Sequence, residues 1–393
     1  MTRRLRRVTI AASAASAALV AAAGLALASP SSSNDWPYAQ QHGDSNRTYT
    51  LAAVGDIACE PDTPENSSTP SSLKCGSEDE GGMPAEYATA QQAYRMKPDA
   101  VALLGDEQYE VGKLSDFEQS FEQTWGGLRL LERPAPGNHE YYSYTKHGDN
   151  EAAQNGTGYF AYFNGHDQAG TPNQEGQAGT DSTTDQGWYS YDLGNWHIIS
   201  LNVECNSAPF DNDCSTSDDG LLAQETRWLA ADLQSSGQPC TIAYWHQPTF
   251  SATTAAAPGV DPAAPGAGGQ EGGVADAWWK LLYQAHATLI LNGHEHAYAR
   301  FRPMDPNGNY DPKNGITQIT IGTGGEDLDT LATTATGFSN PNVVTAEDTA
   351  FGVGDLQLKP NGYTFSYKPV LAGPGDDASA LDYSDSASGS CRG

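Results

Sequence analysis

Positively charged residues are scarce in this chain of 393 residues. Lys and Arg number 20 against 49 Asp and Glu, which gives a formal net charge of -29. Proteins that bind duplex nucleic acid carry a basic surface, so this balance argues against a nucleic-acid scaffold as partner. The six cysteines include no C-x-x-C pair, which makes a structural zinc knuckle unexpected. Beyond the N-terminal segment there is no second long apolar run of the kind that spans a membrane.

The N-terminal segment has the composition of an export signal. The stretch MTRRLRR precedes an Ala/Leu/Val run that ends in the A-x-A cleavage pattern ALA at 26–28. A membrane anchor would need about 20 strongly apolar residues, whereas this run is diluted by Ala and Ser. We therefore predict an export signal over 1–28 and a secreted protein without a stable membrane anchor. The paired arginines are also compatible with twin-arginine export.

All six cysteines lie beyond the predicted cleavage site and suit an exported protein with disulfides, although they can pair in many ways. Proximity in the sequence favours Cys59–Cys75 and Cys205–Cys214, which leaves Cys240 to hold the C-terminal end through Cys391.

The rest of the chain has one long patterned body. A polar lead-in occupies 29–47, the body 48–370, and a Ser/Asp/Gly-rich tail 371–393. Two segments of the body, 145–187 and 251–273, are rich in Gly, Pro and small polar residues and are predicted to be long surface loops. Candidate site residues fall on both sides of each, so neither is interpreted as a linker between domains.

Short apolar runs alternate with helical patterns along the body, which is typical of a layered α/β fold. The sequence predicts helices over 84–95, 114–125, 221–233 and 274–284. It predicts strands over 49–54, 101–104, 188–193, 197–203, 241–245, 289–291 and 316–321, and a hairpin of 352–358 and 363–368. His197 falls within one of these strands and is interpreted as a core or capping residue.

Nearly every predicted buried strand ends in a side chain that can bind a metal ion. These side chains are Asp56, Asp106, Asn138 with His139, His246, and His294 with His296. Ligands of open α/β sheets bind outside the carboxyl ends of the strands, so the side chains are expected to converge on one rim. Singly, a Gly-Asp pair is usually a turn and such a histidine is usually structural. Together, Asp, Asn and His form a coherent donor set for two transition ions.

This series of motifs resembles a known family. Its five blocks are similar to the signature of calcineurin-like metallophosphoesterases, and of purple acid phosphatases in particular. The blocks are Gly55-Asp56, Gly105-Asp106-x-x-Tyr109, Gly137-Asn138-His139-Glu140, His246 and Gly293-His294-x-His296-x-Tyr298. The resemblance covers about 48–370. It implies a four-layer sandwich of two mixed β-sheets flanked by α-helices, with a binuclear metal site at one edge.

The resemblance also implies which residues bind each ion. Most metallophosphoesterases have a histidine two residues after the first aspartate, whereas this chain has Ala58, and Tyr109 can supply the missing ligand. A phenolate ligand favours Fe(3+), with Fe, Zn or Mn as the second, divalent ion. The first ion would be bound by Asp56, Asp106, Tyr109 and His296, and the second by Asp106, Asn138, His246 and His294.

By the same resemblance, the substrate is a small phosphate ester, and a metal-bound hydroxide would attack the phosphorus of a phosphomonoester. His139 would protonate or orient the leaving oxygen, unless it only supports the ligands. Two alternatives stay open: hydrolysis of a phosphodiester or nucleotide at the same centre, or an inactive member that binds phosphate or a polymer. Arg300, which follows the last motif, is expected either to line the phosphate pocket or to pair with a surface acid.

Overall fold

The computed structural model describes residues 43–61, 85–141, 152–164, 180–181, 184–205, 214–217, 219–253, 272–371 and 381–392. The predicted export signal and most of the predicted lead-in lie outside these residues, as does most of the predicted loop 251–273. Within the described part, no helix is both long enough and apolar enough to span a bilayer.

The described residues contain short strands separated by helices. In chain order the strands are β1 (Tyr49–Val54), β2 (Ala100–Leu103), β3 (Glu132–Pro134), β4 (Thr180–Asp181), β5 (Thr184–Asp185), β6 (Tyr189–Leu193), β7 (Trp196–Ser200), β8 (Cys240–Tyr244), β9 (Leu289–Asn292), β10 (Tyr298–Phe301), β11 (Thr317–Ile321), β12 (Thr333–Thr334), β13 (Gly337–Phe338), β14 (Val343–Glu347), β15 (Gly352–Lys359), β16 (Gly362–Pro369) and β17 (Ser386–Ser390). The α-helices are α1 (Ala85–Met96), α2 (Leu114–Asp116), α3 (Glu122–Thr124), α4 (Thr157–Asn164), α5 (Leu221–Ser235) and α6 (Gly272–Gln284), with a π turn at Phe117–Phe121 and 3-10 turns at Gly126–Leu128 and Asn138–Glu140.

The first large sheet has the strand order β17-β16-β15-β1-β2-β3. β1, β2 and β3 are parallel, so their carboxyl ends lie at one edge. β15 and β16 form the predicted antiparallel hairpin, and β15 also pairs with β1. β17 lies in the segment predicted to be a polar tail, 371–393, and it pairs with β16 from Ser386 to Ser390. Part of that tail is therefore the edge strand of the sheet.

The second large sheet has the order β14-β10-β11-β9-β8-β7-β6. Its central strands, β7, β8, β9 and β11, are parallel and almost fully buried, as expected for parallel strands that are covered on both faces. β6, β10 and β14 extend it antiparallel at its two sides.

The two sheets enclose the main core between them. One apolar cluster joins Val54 and Leu103 of the first sheet to Ile242 and Ile321 of the second. A second cluster covers the outer face of the second sheet, where α6 buries Trp278 and Trp279, while α1 contacts β1 and β15 of the first sheet. The predicted α/β sandwich of two mixed sheets flanked by helices is confirmed.

Two predictions of local structure were incomplete. The predicted helix 114–125 is divided into α2, the π turn and α3. Its rings at Phe117, Phe121 and Trp125 are all fully buried. Side chains spaced at i and i+4 do not stay on one face of an α-helix. The wider π turn compensates for this drift and keeps the three rings on the buried face. The predicted loop 145–187 contains α4, whose Tyr162 ring stacks on Phe117 with a centroid separation of 5.0 Å.

Disulfides join the segments that the sequence suggested. Cys205 pairs with Cys214, and Cys240 at the start of β8 pairs with Cys391 just after β17. The second bond links the end of the first sheet to the second sheet. Cys59 is disulfide-bonded, and its predicted partner Cys75 lies outside the described residues.

Candidate metal centre

The parallel strands of both sheets end at the same edge of the sandwich, and each is followed by a polar side chain. Asp56 follows β1, and Asp106 follows β2. Asn138 follows β3, His246 follows β8, and His294 follows β9. The order of the strands therefore brings together residues that are as far apart in the sequence as Asp56 and His294.

The turns after these strands are tight. Asp56, Asp106 and His294 have φ angles of 61°, 49° and 67°. Residues with a Cβ rarely adopt this left-handed conformation, and such strain concentrates at functional sites. Gly105 precedes Asp106 with a φ of 92°. A Cβ on Gly105 would lie 2.4 Å from Nδ1 of His246, so only glycine lets the two sheets approach here.

Three side chains meet at the hydroxyl group of Tyr109. Its Oη lies 3.1 Å from Oδ1 of Asp56, 3.3 Å from Oδ2 of Asp106 and 3.1 Å from Nε2 of His296. Asp56, Asp106 and Tyr109 are buried, and the His296 side chain is 21% exposed. We call Asp56, Asp106, Tyr109 and His296 the first donor set.

A second donor set consists of Asp106, Asn138, His246 and His294. Nε2 of His246 lies 2.9 Å from Oδ2 of Asp106 and 3.1 Å from Oδ1 of Asn138. Nδ1 of His294 lies 3.1 Å from the same amide oxygen and 3.3 Å from Nε2 of His246. Oδ2 of Asp106 thus belongs to both donor sets, and donor atoms of Asp106, His246 and His294 all lie within 4.8 Å of one another.

The hydrogen bonds of the histidine rings leave lone pairs directed into these sets. Nδ1 of His246 donates to the carbonyl of Leu104 over 2.9 Å, and Nδ1 of His296 donates to the carbonyl of Asp327 over 2.8 Å. A carbonyl only accepts, so each Nδ1 carries a proton, and Nε2 of the neutral ring is an acceptor. Such second hydrogen bonds typically orient metal-binding histidines.

This chemistry fits two metal ions. In the neutral state, Nε2 of His246 faces Oδ1 of Asn138 and Oδ2 of Asp106 at hydrogen-bond distance, so three acceptors face one another. Acceptors at such distances repel unless a proton or a cation lies among them. The mixture of carboxylate and amide oxygens with imidazole nitrogens is one that zinc, iron and manganese accept, and a phenolate suits a trivalent ion.

Without ions, neighbouring histidines keep the carboxylate of Asp106 charged. Burial alone would raise the pKa of Asp106, but His246 and His139 hold it well below its ordinary value. Burial alone would lower the pKa of His246, but Asp106 raises it to about 10. Burial, and then the charge of His246, lower the pKa of His294 to about 3. The proton of His246 therefore occupies a position where a cation would otherwise neutralise Asp106.

Glu140 forms hydrogen bonds with both turns that carry Asp106 and Asn138. Its buried carboxylate accepts hydrogen bonds from the backbone N–H groups of Asp106 over 3.2 Å, Gln108 over 3.2 Å and Gly137 over 2.8 Å. One side chain thus fixes the turn after β2 and the turn after β3. The sequence motif alone did not indicate a role for Glu140, because only the folded chain shows which backbone N–H groups its side chain contacts.

His139 lies at the edge of the cluster. Its backbone N–H donates to Oδ1 of Asp106 over 2.8 Å, and its Nδ1 lies 2.8 Å from the carbonyl oxygen of Glu110. The ring packs on Tyr109 with a centroid separation of 4.1 Å, and Nε2 lies 3.9 Å from Oδ2 of Asp106. Burial lowers the pKa of His139. The side chain is 13% exposed, and its Nε2 borders the cluster without joining either donor set.

Arg300 does not line this cluster. Its Nε and a terminal nitrogen donate to the two oxygens of Asp385 over 2.7 Å and 2.8 Å. The pairing with an acid, which was the second of the two expectations, is therefore the one observed. Gln247, to which the sequence pattern assigns no role, does reach the cluster: its amide nitrogen lies 3.3 Å from Oδ1 of Asn138. Its position next to His246 was the only signal in the sequence.

Comparisons with known proteins agree with this geometry. A model of the family described as calcineurin-like phosphoesterase matches residues 49–298. Purple acid phosphatases 22 and 21 of Arabidopsis thaliana are each 28% identical over 178 residues, which are 44% of this chain and 34% of theirs. The chain thus spans about a third of the length of these curated relatives.

Solved structures show the same fold. The purple acid phosphatase PPD1 from yellow lupin (Lupinus luteus) seeds superposes with a TM-score of 0.58 at 17% identity, covering 84% of this chain and 54% of that one. A structure of PhoD superposes with a TM-score of 0.54 at 13% identity, covering 86% and 69%.

The two-sheet sandwich with donors at the strand ends is the architecture of a class of metal-dependent phosphoester hydrolases. Because the family model covers more than half of the sequence, the chain belongs to the calcineurin-like phosphoesterase family. Its predicted similarity to purple acid phosphatases is confirmed by the Arabidopsis relatives.

Proposed function

We propose that the protein hydrolyses phosphomonoesters at a binuclear metal centre. The observation that carries the proposal is the position of Asp106, whose Oδ2 lies 3.3 Å from Oη of Tyr109 and 2.9 Å from Nε2 of His246. A single carboxylate oxygen between two donor sets is suited to bridge two cations. The similarity to purple acid phosphatases supports the same reaction.

In this proposal the first donor set would hold Fe(3+), and the second donor set would hold a divalent Fe, Zn or Mn ion. The ions would supply Lewis acidity toward the phosphoryl group and would lower the pKa of water. Two carboxylates and a phenolate carry a charge of about -3, less than the charge of such a pair of ions. With both ions bound, the centre would be locally positive in a chain whose formal charge is -29, and it would attract a phosphate anion.

Tyr109 is the proposed source of a visible absorption band. Its hydroxyl is buried among Asp56, Asp106 and His296, where a trivalent ion would hold it as phenolate. Tyr109→Phe should remove a charge-transfer band from the purified protein while Tyr141→Phe, which alters another buried tyrosine, should not. A colourless wild-type protein with two zinc or manganese ions would refute the iron assignment.

We propose that His139 acts on the leaving oxygen of the substrate. The hydrogen bond between its Nδ1 and the Glu110 carbonyl orients the ring, and Nε2, which lies 3.9 Å from Oδ2 of Asp106, would face a bound ester. Glu140 and Gly137 stabilise the turn that presents it, through the 2.8 Å hydrogen bond between them. Glu110, Gly137 and Glu140 position the imidazole of His139. The imidazole would hold the proton that the leaving oxygen needs, or transfer it to that oxygen.

The substrate class is tested by comparing turnover of p-nitrophenyl phosphate with that of bis(p-nitrophenyl) phosphate. Preference for the monoester supports the proposal, and preference for the diester would favour the phosphodiesterase alternative. An Asp106→Asn variant controls for contaminating phosphatases. Absence of metal-dependent turnover of both substrates would indicate an inactive phosphate-binding protein.

We also propose that the protein is secreted. The export-like segment 1–28 and the disulfides Cys205–Cys214 and Cys240–Cys391 support this location, because disulfides persist in oxidising compartments. N-terminal sequencing of protein recovered from the culture medium should begin just after residue 28. Retention of the whole chain inside the cell would contradict secretion.

A further inference from the structure

Gln247 is a buried residue whose side-chain amide is only partly hydrogen-bonded. Its side chain is 1% exposed. Its amide nitrogen donates to Oδ1 of Asn138 over 3.3 Å, while its amide oxygen has no hydrogen-bond partner among the described residues. A buried amide that is only half satisfied destabilises a fold, so its presence beside a donor set calls for a functional reason.

The backbone of Gln247 is restrained by the residues on both sides of it in the chain. His246, the preceding residue, is anchored to the Leu104 carbonyl through Nδ1. Pro248, the following residue, restricts the backbone of Gln247 to extended conformations. The amide of Gln247 therefore reaches Asn138 from a restrained backbone just after β8.

The side-chain amide of Asn138 can adopt two orientations, because its C=O and NH2 groups have nearly the same shape. A hydrogen-bond partner such as Gln247 is needed to favour one of them. Its oxygen faces Nε2 of His246 and Nδ1 of His294, both at 3.1 Å. Rotation of this amide by half a turn would bring its NH2 group beside these two nitrogens, where a cation needs an oxygen donor. In the observed orientation the N–H of Gln247 donates to the oxygen of Asn138, and after the rotation it would face the NH2 group instead.

We propose that Gln247 is a positioning residue that locks the amide of Asn138 with its oxygen toward the second donor set. This inference rests on the proposed binuclear centre. It assigns to Gln247 a role in the affinity for the second ion, distinct from any role in the chemical step.

The test uses Gln247→Leu, which keeps the approximate volume and removes the donor. Full-length protein is equilibrated with graded concentrations of Zn2+ or Mn2+, and bound ions per chain are measured by elemental analysis. Loss of a partner that orients a ligand typically weakens metal binding by about 10- to 100-fold. We expect this loss for the second ion, with the first ion bound as in the wild type.

A double-mutant cycle separates orientation of the amide from a merely structural role. In an Asn138→Asp background both side-chain oxygens are equivalent, so there is no wrong orientation to prevent. Gln247→Leu should then change affinity for the second ion by no more than about twofold, the usual limit for independent sites. Equal losses in both backgrounds would overturn the proposal.

Gln318→Leu is the matched control. Gln318 is also fully buried, but its amide pairs with the backbone of Phe250 instead of a donor residue. If Gln318→Leu weakens the second ion as much as Gln247→Leu, the effect is general destabilisation and the inference is wrong. If the wild type binds fewer than two ions, the proposed function itself fails. If the wild type binds two and Gln247→Leu retains both at full affinity, this inference alone fails.

Discussion

The ion triad around His197 should make stability depend on pH. Nδ1 of His197 lies 2.8 Å from Oδ1 of Asp192 in β6, and Nε2 lies 2.7 Å from Oδ2 of Asp232 in α5. Burial alone would lower the pKa of His197, but the two carboxylates raise it from 6.5 to about 9. The triad joins the second sheet to a helix on its outer face, at the opposite end of β7 from the metal centre.

The pKa of His197 is higher in the folded chain than in the unfolded chain, so its contribution to stability is complete below pH 6.5 and is lost as the pH rises through about 9. One pKa unit corresponds to about 1.4 kcal/mol. The rise from 6.5 to about 9 therefore corresponds to about 3 kcal/mol in the free energy of unfolding. The three side chains are 7%, 22% and 15% exposed, so the triad is largely shielded from solvent.

Urea unfolding between about pH 6 and pH 10 measures this loss in the wild type and in His197→Gln. We expect the stability advantage of the wild type over the variant to shrink by about 3 kcal/mol across that range. His286→Gln, which replaces an exposed histidine after α6, controls for the loss of a histidine in general. The same pH dependence in the wild type and in His197→Gln would refute the reasoning.

Two further substitutions test the metal centre. His139→Ala should lower turnover of an ester with a poor leaving group by about 10²- to 10⁴-fold while bound metal stays normal, because the ring lies outside both donor sets; full activity on that ester would exclude the proposed role. Gly137→Ala would place a Cβ 2.2 Å from Oδ1 of Asp106, so we expect weaker binding of both ions by about 10-fold or more. Gly127→Ala, where the added Cβ meets nothing within 4 Å, is its control, and equal ion affinities in the two variants would contradict the explanation.

The sequence predicted the parts of the fold that depend on local pattern. β1, β2, β8 and β9 are short apolar runs because parallel strands are buried on both faces. Since the carboxyl ends of parallel strands share one edge, the pattern of strands was enough to assign the polar residue after each to one site. The convergence of Asp56 with His294 follows from that rule.

Features that depend on distant partners were not predictable in this way. β17 consists of Ser, Ala and Gly, and it is ordered through backbone pairing with β16 and through the nearby Cys240–Cys391 bond. The aromatic residues of α4 were hidden within a segment whose average composition is polar. The partner of Arg300 lies 85 positions away, at Asp385, and no local pattern identifies it.

The central claim is that one carboxylate oxygen of Asp106 serves two donor sets. Elemental analysis of purified protein, with Asp106→Ala and Asn138→Ala measured in parallel, tests it most directly. The claim predicts two ions per chain in the wild type, weakened binding of both in Asp106→Ala, and weakened binding of only one in Asn138→Ala. A wild type that binds one ion, or an Asp106→Ala variant that still binds one ion at full affinity, would contradict it.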